Sequence, residues 1–281
     1  MTIASNNDII CNRYEGVSMK KKELLKDYLV SRLISFGKKV DGYDKVFYQT
    51  NEDLVAPYLD IDFYNKDVLS VLASGDQVLT SRMLEAKKTD AFDFNRLSLY
   101  YFYLRLWSIE YRDELYPKIL DGNNQWLREL LKVVIPRNEK EKEALKFYQQ
   151  HIEDDTNLEK MFFDLYCQPE GRTLYTKPKE LEGCLSPDLN FYPIDLFQKF
   201  DLNGSYDIVL ISNILEWARN KPEKLKIAYE NLARIVNKNG VVLCSNLIYR
   251  SKAEMDEEKR IFDQSFDFEK TEAGYVYIKK N

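Results

Sequence analysis

Residues 67–95 read DVLSVLASGDQVLTSRMLEAKKTDAFDFN, and this stretch decides the fold. Val68, Leu69, Val71 and Leu72 form a short apolar run, the mark of a parallel strand covered on both faces. Ser74, Gly75 and Asp76 supply a tight turn. Gly75 can take a positive φ and lets a ligand approach the backbone closely. Asp76 suits the N-cap of a helix over 77–86, and Lys87 and Lys88 complement the negative end of that helix's dipole. Residues 89–94 read as a second short strand closing on Asp93 and Asn95. The spacing predicts strand, turn, helix, strand.

Asp93 lies 18 residues after Gly75. In a βαβ nucleotide site, an acid about 20 residues after the glycine turn hydrogen-bonds a ribose diol, because one planar acceptor takes both hydroxyl protons. The competing reading makes Asp93 the cap of a helix starting near Arg96; the upstream glycine turn favours ribose. No G-x-G-x-x-G for a dinucleotide pyrophosphate and no G-x-x-x-x-G-K-[ST] for a nucleoside triphosphate is present. An adenosine ligand without phosphates fits better, and S-adenosylmethionine is the common one.

Length and composition bound the rest. The 281 residues suit one α/β domain with an insertion, and 44% hydrophobic with 31% charged residues is a globular balance. A net charge of −5 argues against a general nucleic-acid binder, which carries a basic excess to displace counterions. Cys11, Cys167, Cys184 and Cys244 form no C-x-x-C pair, so neither a zinc ribbon nor a disulfide framework is expected, and the cytoplasm fits. No metal site is expected. No segment approaches 18 consecutive apolar residues, so no transmembrane helix is expected. The single histidine, His151, lies in the polar run FYQQHIEDD and reads as an exposed helical residue.

Outward from the central stretch, residues 1–66 read as a polar arm followed by helices, one of them over 20–39, packing on the core. Thr50 to Asp53 resembles a helix start, with Thr50 or Asn51 capping. Segments just ahead of a nucleotide-binding strand fold back over the ligand, so Tyr48, Thr50, Asn51 and Glu52 are candidate lid or substrate residues. After Asn95, RLSLYYFYLRLWSIEYR is apolar on several sides and predicts a buried helix. Residues 111–186 carry three helical pieces and no strand, and read as a helical cap over the substrate region. The α/β pattern resumes with strands over 206–211 and 240–247 around a helix over 222–236, ended by Asn239 and Gly240. A terminal pair within 261–279 predicts an antiparallel hairpin. The expected class is therefore α/β: a Rossmann-like, mostly parallel sheet from 67–110 and 187–281, with a C-terminal hairpin and a helical insertion.

VLSVLASGD, the acid in AFDFN, YDIVLISNILEW and the terminal hairpin resemble the class I S-adenosylmethionine-dependent methyltransferase superfamily. The resemblance implies that Ala73, Ser74, Gly75 and Asp76 wrap the methionine arm, with Asp76 facing its ammonium. It implies that Asp93, with Phe94 and Asn95, holds the ribose, and that Asp195 and Leu196 face adenine. The chain departs from the pattern in having one glycine in the turn instead of two or three. YQTNEDL, VLSVLASGDQVL and FDFNRLSLYYFYL further resemble a bacterial family related to the betaine-lipid aminocarboxypropyl transferases, which implies transfer of the 3-amino-3-carboxypropyl group to a small-molecule or lipid-like acceptor. Ser212, Asn213 and Ile214 end a central strand, where open α/β sheets place ligand contacts. Asn213 is the expected acceptor-orienting catalytic residue, and Glu216 reads either as a base or as a helix-start acid. A non-catalytic nucleoside-binding or partner-binding module on the same fold is the competing class. An NAD enzyme is disfavoured by the missing pyrophosphate glycines.

Overall fold

The computed structural model describes residues 39, 42–47, 49–50, 52, 54–119, 124–153, 158–162, 173–202, 204–218, 221–245, 252–270 and 274–280. The helix expected over 20–39 lies outside them except for its last residue, and Tyr48, Asn51, Cys11 and Cys167 lie outside them too. A short helix α1 (Ala56–Leu59) precedes β1 (Asp67–Val71), α2 (Asp76–Met83) and β2 (Lys88–Phe92). A long helix α3 (Arg96–Arg112) is followed by α4 (Gln125–Val133) and α5 (Glu139–Glu153). The sheet resumes with β3 (Phe191–Tyr192), β4 (Tyr206–Ser212), α6 (Pro222–Ile235) and β5 (Val236–Ser245), and closes with α7 (Lys252–Phe262), β6 (Phe266–Lys270) and β7 (Gly274–Lys279).

The seven strands lie in the order β3-β2-β1-β4-β5-β7-β6. Pairs within β3 to β5 are parallel; β7 runs antiparallel to β5, and β6 antiparallel to β7. This is the doubly wound order 3-2-1-4-5 with a hairpin in the outermost place, a Rossmann-like α/β fold as expected. The order reverses between β1 and β4, so the carboxyl ends of those strands flank a topological switch point, where such sheets bind ligands.

Alternation along the strands divides the core. Leu69 and Val71 of β1 join Val209 and Ile211 of β4 and the apolar stripe Leu225, Ala228 and Leu232 of α6. Val68, Ile208 and Leu210 face the other way, with Leu54, Tyr58 and Phe63. Helix α3 is buried on all sides from Leu97 to Ile109, as its apolar sequence predicts, and packs against α4 and α5. The Asn95 side chain caps it by accepting from Leu97 N at 3.2 Å.

Several boundaries differ from the sequence expectation. Helix α2 ends at Met83, because Glu85 turns to φ 61° and Ala86 N bonds back to Ser81 O. Strand β5 begins at Val236, directly after the helix, but its pairing with β4 breaks between Val236 and Val241; Asn239, expected to help end the preceding helix, takes φ 62° in that break. Thr50 does not cap a helix: its Oγ1 accepts from Glu52 N at 3.1 Å in a local turn, and the following helix starts at Ala56. Residues 261 and 262 belong to α7, not to the hairpin.

Candidate functional site

The turn after β1 carries two positive φ angles, Ala73 at 42° and Gly75 at 85°. Only Gly75 could not be replaced sterically. A Cβ there would lie 2.6 Å from the Phe102 ring, so helix α3 packs directly against the turn. Gly75 itself occupies the N-cap of α2, and Asp76 stands in the first turn, a correction to the expected capping role.

Asp76 is wholly buried. Its Oδ1 meets Arg105 Nη2 at 2.9 Å, accepts from the Tyr175 hydroxyl, and lies 3.3 Å from the Tyr116 hydroxyl. Its Oδ2 accepts from Ser74 Oγ at 2.6 Å and Thr50 N at 2.7 Å. Arg105 also donates to Ser74 O at 2.7 Å. Desolvation alone would lower the Arg105 guanidinium, yet the Asp76 charge holds it well above its ordinary value. Burial first, and then Asp76, push the Tyr175 hydroxyl well above its usual range. The Asp76 carboxylate bonds to protein groups and is not among the residues lining the cavity described below, away from where an acid facing a methionine ammonium was expected. Arg105 was missed from sequence; the available signal was a lone basic residue inside LYYFYLRLWSI.

On the other side of the turn lies a cavity of about 420 Å³ at the carboxyl ends of β1, β2 and β4. Ala73 and Ser74 of the turn line it, with Asp93, Phe94 and Asn95 from the end of β2. Asp195 and Leu196 line it from the segment after β3, and Ser212, Asn213 and Ile214 from the end of β4. Thr50 and Glu52 close it from the segment before β1. The structure thus brings ten of the twelve expected turn, strand-end and adenine-side residues to one cavity. Gly75 and Asp76 are the two outside it. Among the described residues, none from 111–186 lines the cavity; Tyr116 and Tyr175 of that region reach Asp76 instead.

Asp93 is 8% exposed. Its Oδ2 accepts from Ala73 N at 3.1 Å and its Oδ1 from Asn95 N at 2.9 Å, which ties the end of β2 to the turn after β1. It does not cap α3, since Asn95 does that. Burial raises its carboxyl to about 6, against the lowering effect of bonds from Asn95, Ser98 and Ala73. Each oxygen keeps lone-pair capacity beyond its backbone bond, and the side chain lines the cavity.

Glu52 is the second buried acid of the cavity, 3% exposed. Its Oε2 accepts from Gln77 Nε2 at 2.9 Å and Ser245 Oγ at 2.9 Å, and its Oε1 accepts from Ser212 Oγ. It spans three elements, the first turn of α2 and the ends of β4 and β5. Ser212 takes φ 54°, a left-handed conformation that a serine holds only under surrounding constraint. Asn213 is buried beside it, with Ser212 Oγ 3.2 Å from its Oδ1.

At the β3 end, Asp195 spends both oxygens on its own turn, accepting from Phe197 N at 2.9 Å and Gln198 Nε2 at 3.2 Å. Ile194, Leu196 and Phe197 give this end an apolar wall, and Phe94 is 55% exposed at the rim. Four acids line the cavity (Asp44, Glu52, Asp93 and Asp195) against Lys45, Lys221 and Lys224. His151 does not line it: its Nδ1 lies 2.8 Å from Phe147 O, and its ring is tilted against Phe147. The Glu216 side chain lies outside the described residues. No cluster of metal-ligating side chains occurs among the described residues, and no helix among them is long and apolar enough to cross a membrane. Neither Cys184 nor Cys244 is in a disulfide.

No protein-family model and no curated protein sequence matches the chain. Solved structures do align. The N-methyltransferase NodS of Bradyrhizobium japonicum covers 80% of this chain and 93% of its own, at 7% identity and a TM-score of 0.37. NodS with S-adenosyl-L-homocysteine gives 76% and 77% coverage, 8% identity and a TM-score of 0.36. A methyltransferase of Pyrococcus furiosus gives 94% and 100% coverage, 9% identity and a TM-score of 0.35. Scores of this size carry no argument about activity, so the functional reading rests on this chain's own cavity.

Proposed function

We propose that the chain binds S-adenosylmethionine in this cavity and transfers an alkyl group from it, methyl or 3-amino-3-carboxypropyl, to a small-molecule or lipid-like acceptor. The observation that carries the reading is Asp93: a buried carboxylate at the end of β2, braced by the glycine turn and lining the cavity. That is the position and chemistry of a ribose-diol acceptor.

The donor set fits an adenosyl cation better than a pyrophosphate. The cavity wall carries four acids, and its turn lacks the glycines that admit a diphosphate. Ile194, Leu196 and Phe197 would flank the adenine, Ala73 and Ser74 the arm. Glu52 replaces Asp76 as the acid for the α-ammonium. Along the sheet edge, Asp93 ends β2, while the partners of Glu52 end β4 and β5, two and three strands further on. At about 4.8 Å per strand, that places Glu52 on the side of the turn away from the adenine wall. When bound, the cofactor supplies an electrophilic carbon on a sulfonium. The protein's part is then positioning: Asp93 and Glu52 fix the two ends of the ligand, and Asn213 orients the acceptor.

Calorimetric titration with S-adenosylmethionine, S-adenosylhomocysteine, methylthioadenosine and NAD tests this. The reading expects binding of the first two and none of NAD, and a matching loss in Asp93→Ala. Absence of binding by all four would sink it. With a competent acceptor, accumulation of S-adenosylhomocysteine identifies methyl transfer, and methylthioadenosine the larger group.

A further inference from the structure

A second cavity, of about 660 Å³, lies at the opposite, amino end of β2. Lys88 and Thr89 begin that strand, whereas Asp93 follows its end, about 13 Å further along an extended chain. The wall of this cavity is built from the end of α2, the start of α5 and the segment 183–190.

Its charges are compensated unevenly. Arg82 Nη1 donates to Cys184 O at 3.2 Å and Ser186 O at 2.7 Å, and Nη2 donates to Asp188 O at 2.8 Å. Lys140 Nζ donates to Leu189 O at 2.6 Å. Carbonyls satisfy hydrogen bonds but cancel no charge, and among the described residues neither cation forms an ion pair with a carboxylate. The acids nearby are differently placed. Asp90 is matched by Lys88 at 2.7 Å and bonded by Asn190 and Tyr206, and Glu139 pairs with Lys142. Asp188 is exposed. Thr89, 7% exposed, lines the same cavity, and its Oγ1 is buried without a hydrogen-bond partner. Such a hydroxyl is costly to bury until something accepts from it or donates to it.

Two cations whose hydrogen bonds go to carbonyls, Arg82 also lying over the Phe102 ring and near the charge of Asp188, and one buried hydroxyl without a partner, all on residues lining one cavity, suit an oxyanion. We propose that this cavity binds a phosphate group, carried on a small polar metabolite or free in solution, through Arg82, Lys140 and Thr89. A phosphate oxygen accepts from the Thr89 hydroxyl, and its charge is matched by the two cations. The site is separate from the adenosyl cavity and does not depend on that assignment.

The test uses calorimetry at fixed ionic strength with ribose 5-phosphate, inorganic phosphate and neutral ribose. Arg82 also clamps the 184–188 segment, so the informative variants are Lys140→Ala and Thr89→Val. Binding of ribose 5-phosphate, none of ribose, and at least a tenfold loss in Lys140→Ala would support the site. Thr89→Val should weaken the phosphate several-fold without lowering the melting temperature. Binding of inorganic phosphate alone supports a site for the free anion. No binding of either phosphate, unchanged affinity in Lys140→Ala, or stabilisation matched by sodium chloride overturns it.

Discussion

Two buried acids stand on either side of one glycine turn, and they are satisfied in opposite ways. Asp76, on the α3 side, meets a guanidinium, two phenols, a hydroxyl and an amide, all supplied by the protein. Glu52, on the cavity side, accepts from Gln77, Ser212 and Ser245. The first arrangement holds the turn in shape. The second sets a carboxylate on the cavity wall. The sequence places both acids near the turn, but only the packing of α3 decides which one a ligand meets.

The largest effect should come from breaking the sealed side. Arg105→Ala leaves the Asp76 charge buried and unpaired, which costs about 3–5 kcal/mol. Urea unfolding at neutral pH measures it. A loss below about 1 kcal/mol would mean that the network does not hold the turn.

On the open side the effect should fall on binding. Removing Asp93 deletes charge-assisted hydrogen bonds worth about 1.5–3 kcal/mol, so Asp93→Ala should weaken S-adenosylhomocysteine about 10- to 100-fold. Asp93→Asn keeps the shape and serves as control. Unchanged affinity in a folded Asp93→Ala protein rules out the ribose assignment.

Glu52 sharpens the contrast. Glu52→Gln should cost about tenfold in S-adenosylhomocysteine affinity, roughly 1.4 kcal/mol, and nothing for methylthioadenosine, which lacks the ammonium. Equal loss for both ligands would instead mean that Glu52 supports the cavity wall.

The smallest effect is a pH dependence. Ribose hydroxyls donate to an ionised carboxylate, and burial raises Asp93 to about 6. Affinity should therefore fall as pH drops through 6, to about fourfold weaker at pH 5.5 than at pH 8. The ligand-free fold shows the reverse sign. A raised carboxyl contributes stability that is full below the unfolded value and lost as pH rises through about 6. Titrations across that range in wild type and Asp93→Asn check both; a flat profile in wild type would contradict the assignment.

What the sequence made legible follows from distance along the chain. The apolar run of β1, the turn and Asp93 lie within 29 residues and obey local periodicity, so the βαβ unit and the cavity's centre could be read. The buried all-round character of α3 was equally local. The contacts Arg105–Asp76, Tyr175–Asp76 and Glu52–Ser245 were not legible, because they span 29, 99 and 193 residues and no period encodes them. The Asn239-Gly240 signal did mark an irregularity, but inside β5 and not at the helix end: the pairing with β4 breaks between Val236 and Val241, and the two residues sit in that break.

The Glu52–Ser245 bond has a consequence for how the protein is made. The two residues are 193 apart. At about 5–20 residues per second, a ribosome takes roughly 10–40 s between synthesising one and the other. Throughout that interval the βαβ unit can fold locally while the 44–52 segment waits for β4 and β5. The cavity therefore closes only after β5 has been made, long after the glycine turn, and a nascent chain halted before Ser245 would carry a formed turn beside an unfinished cavity.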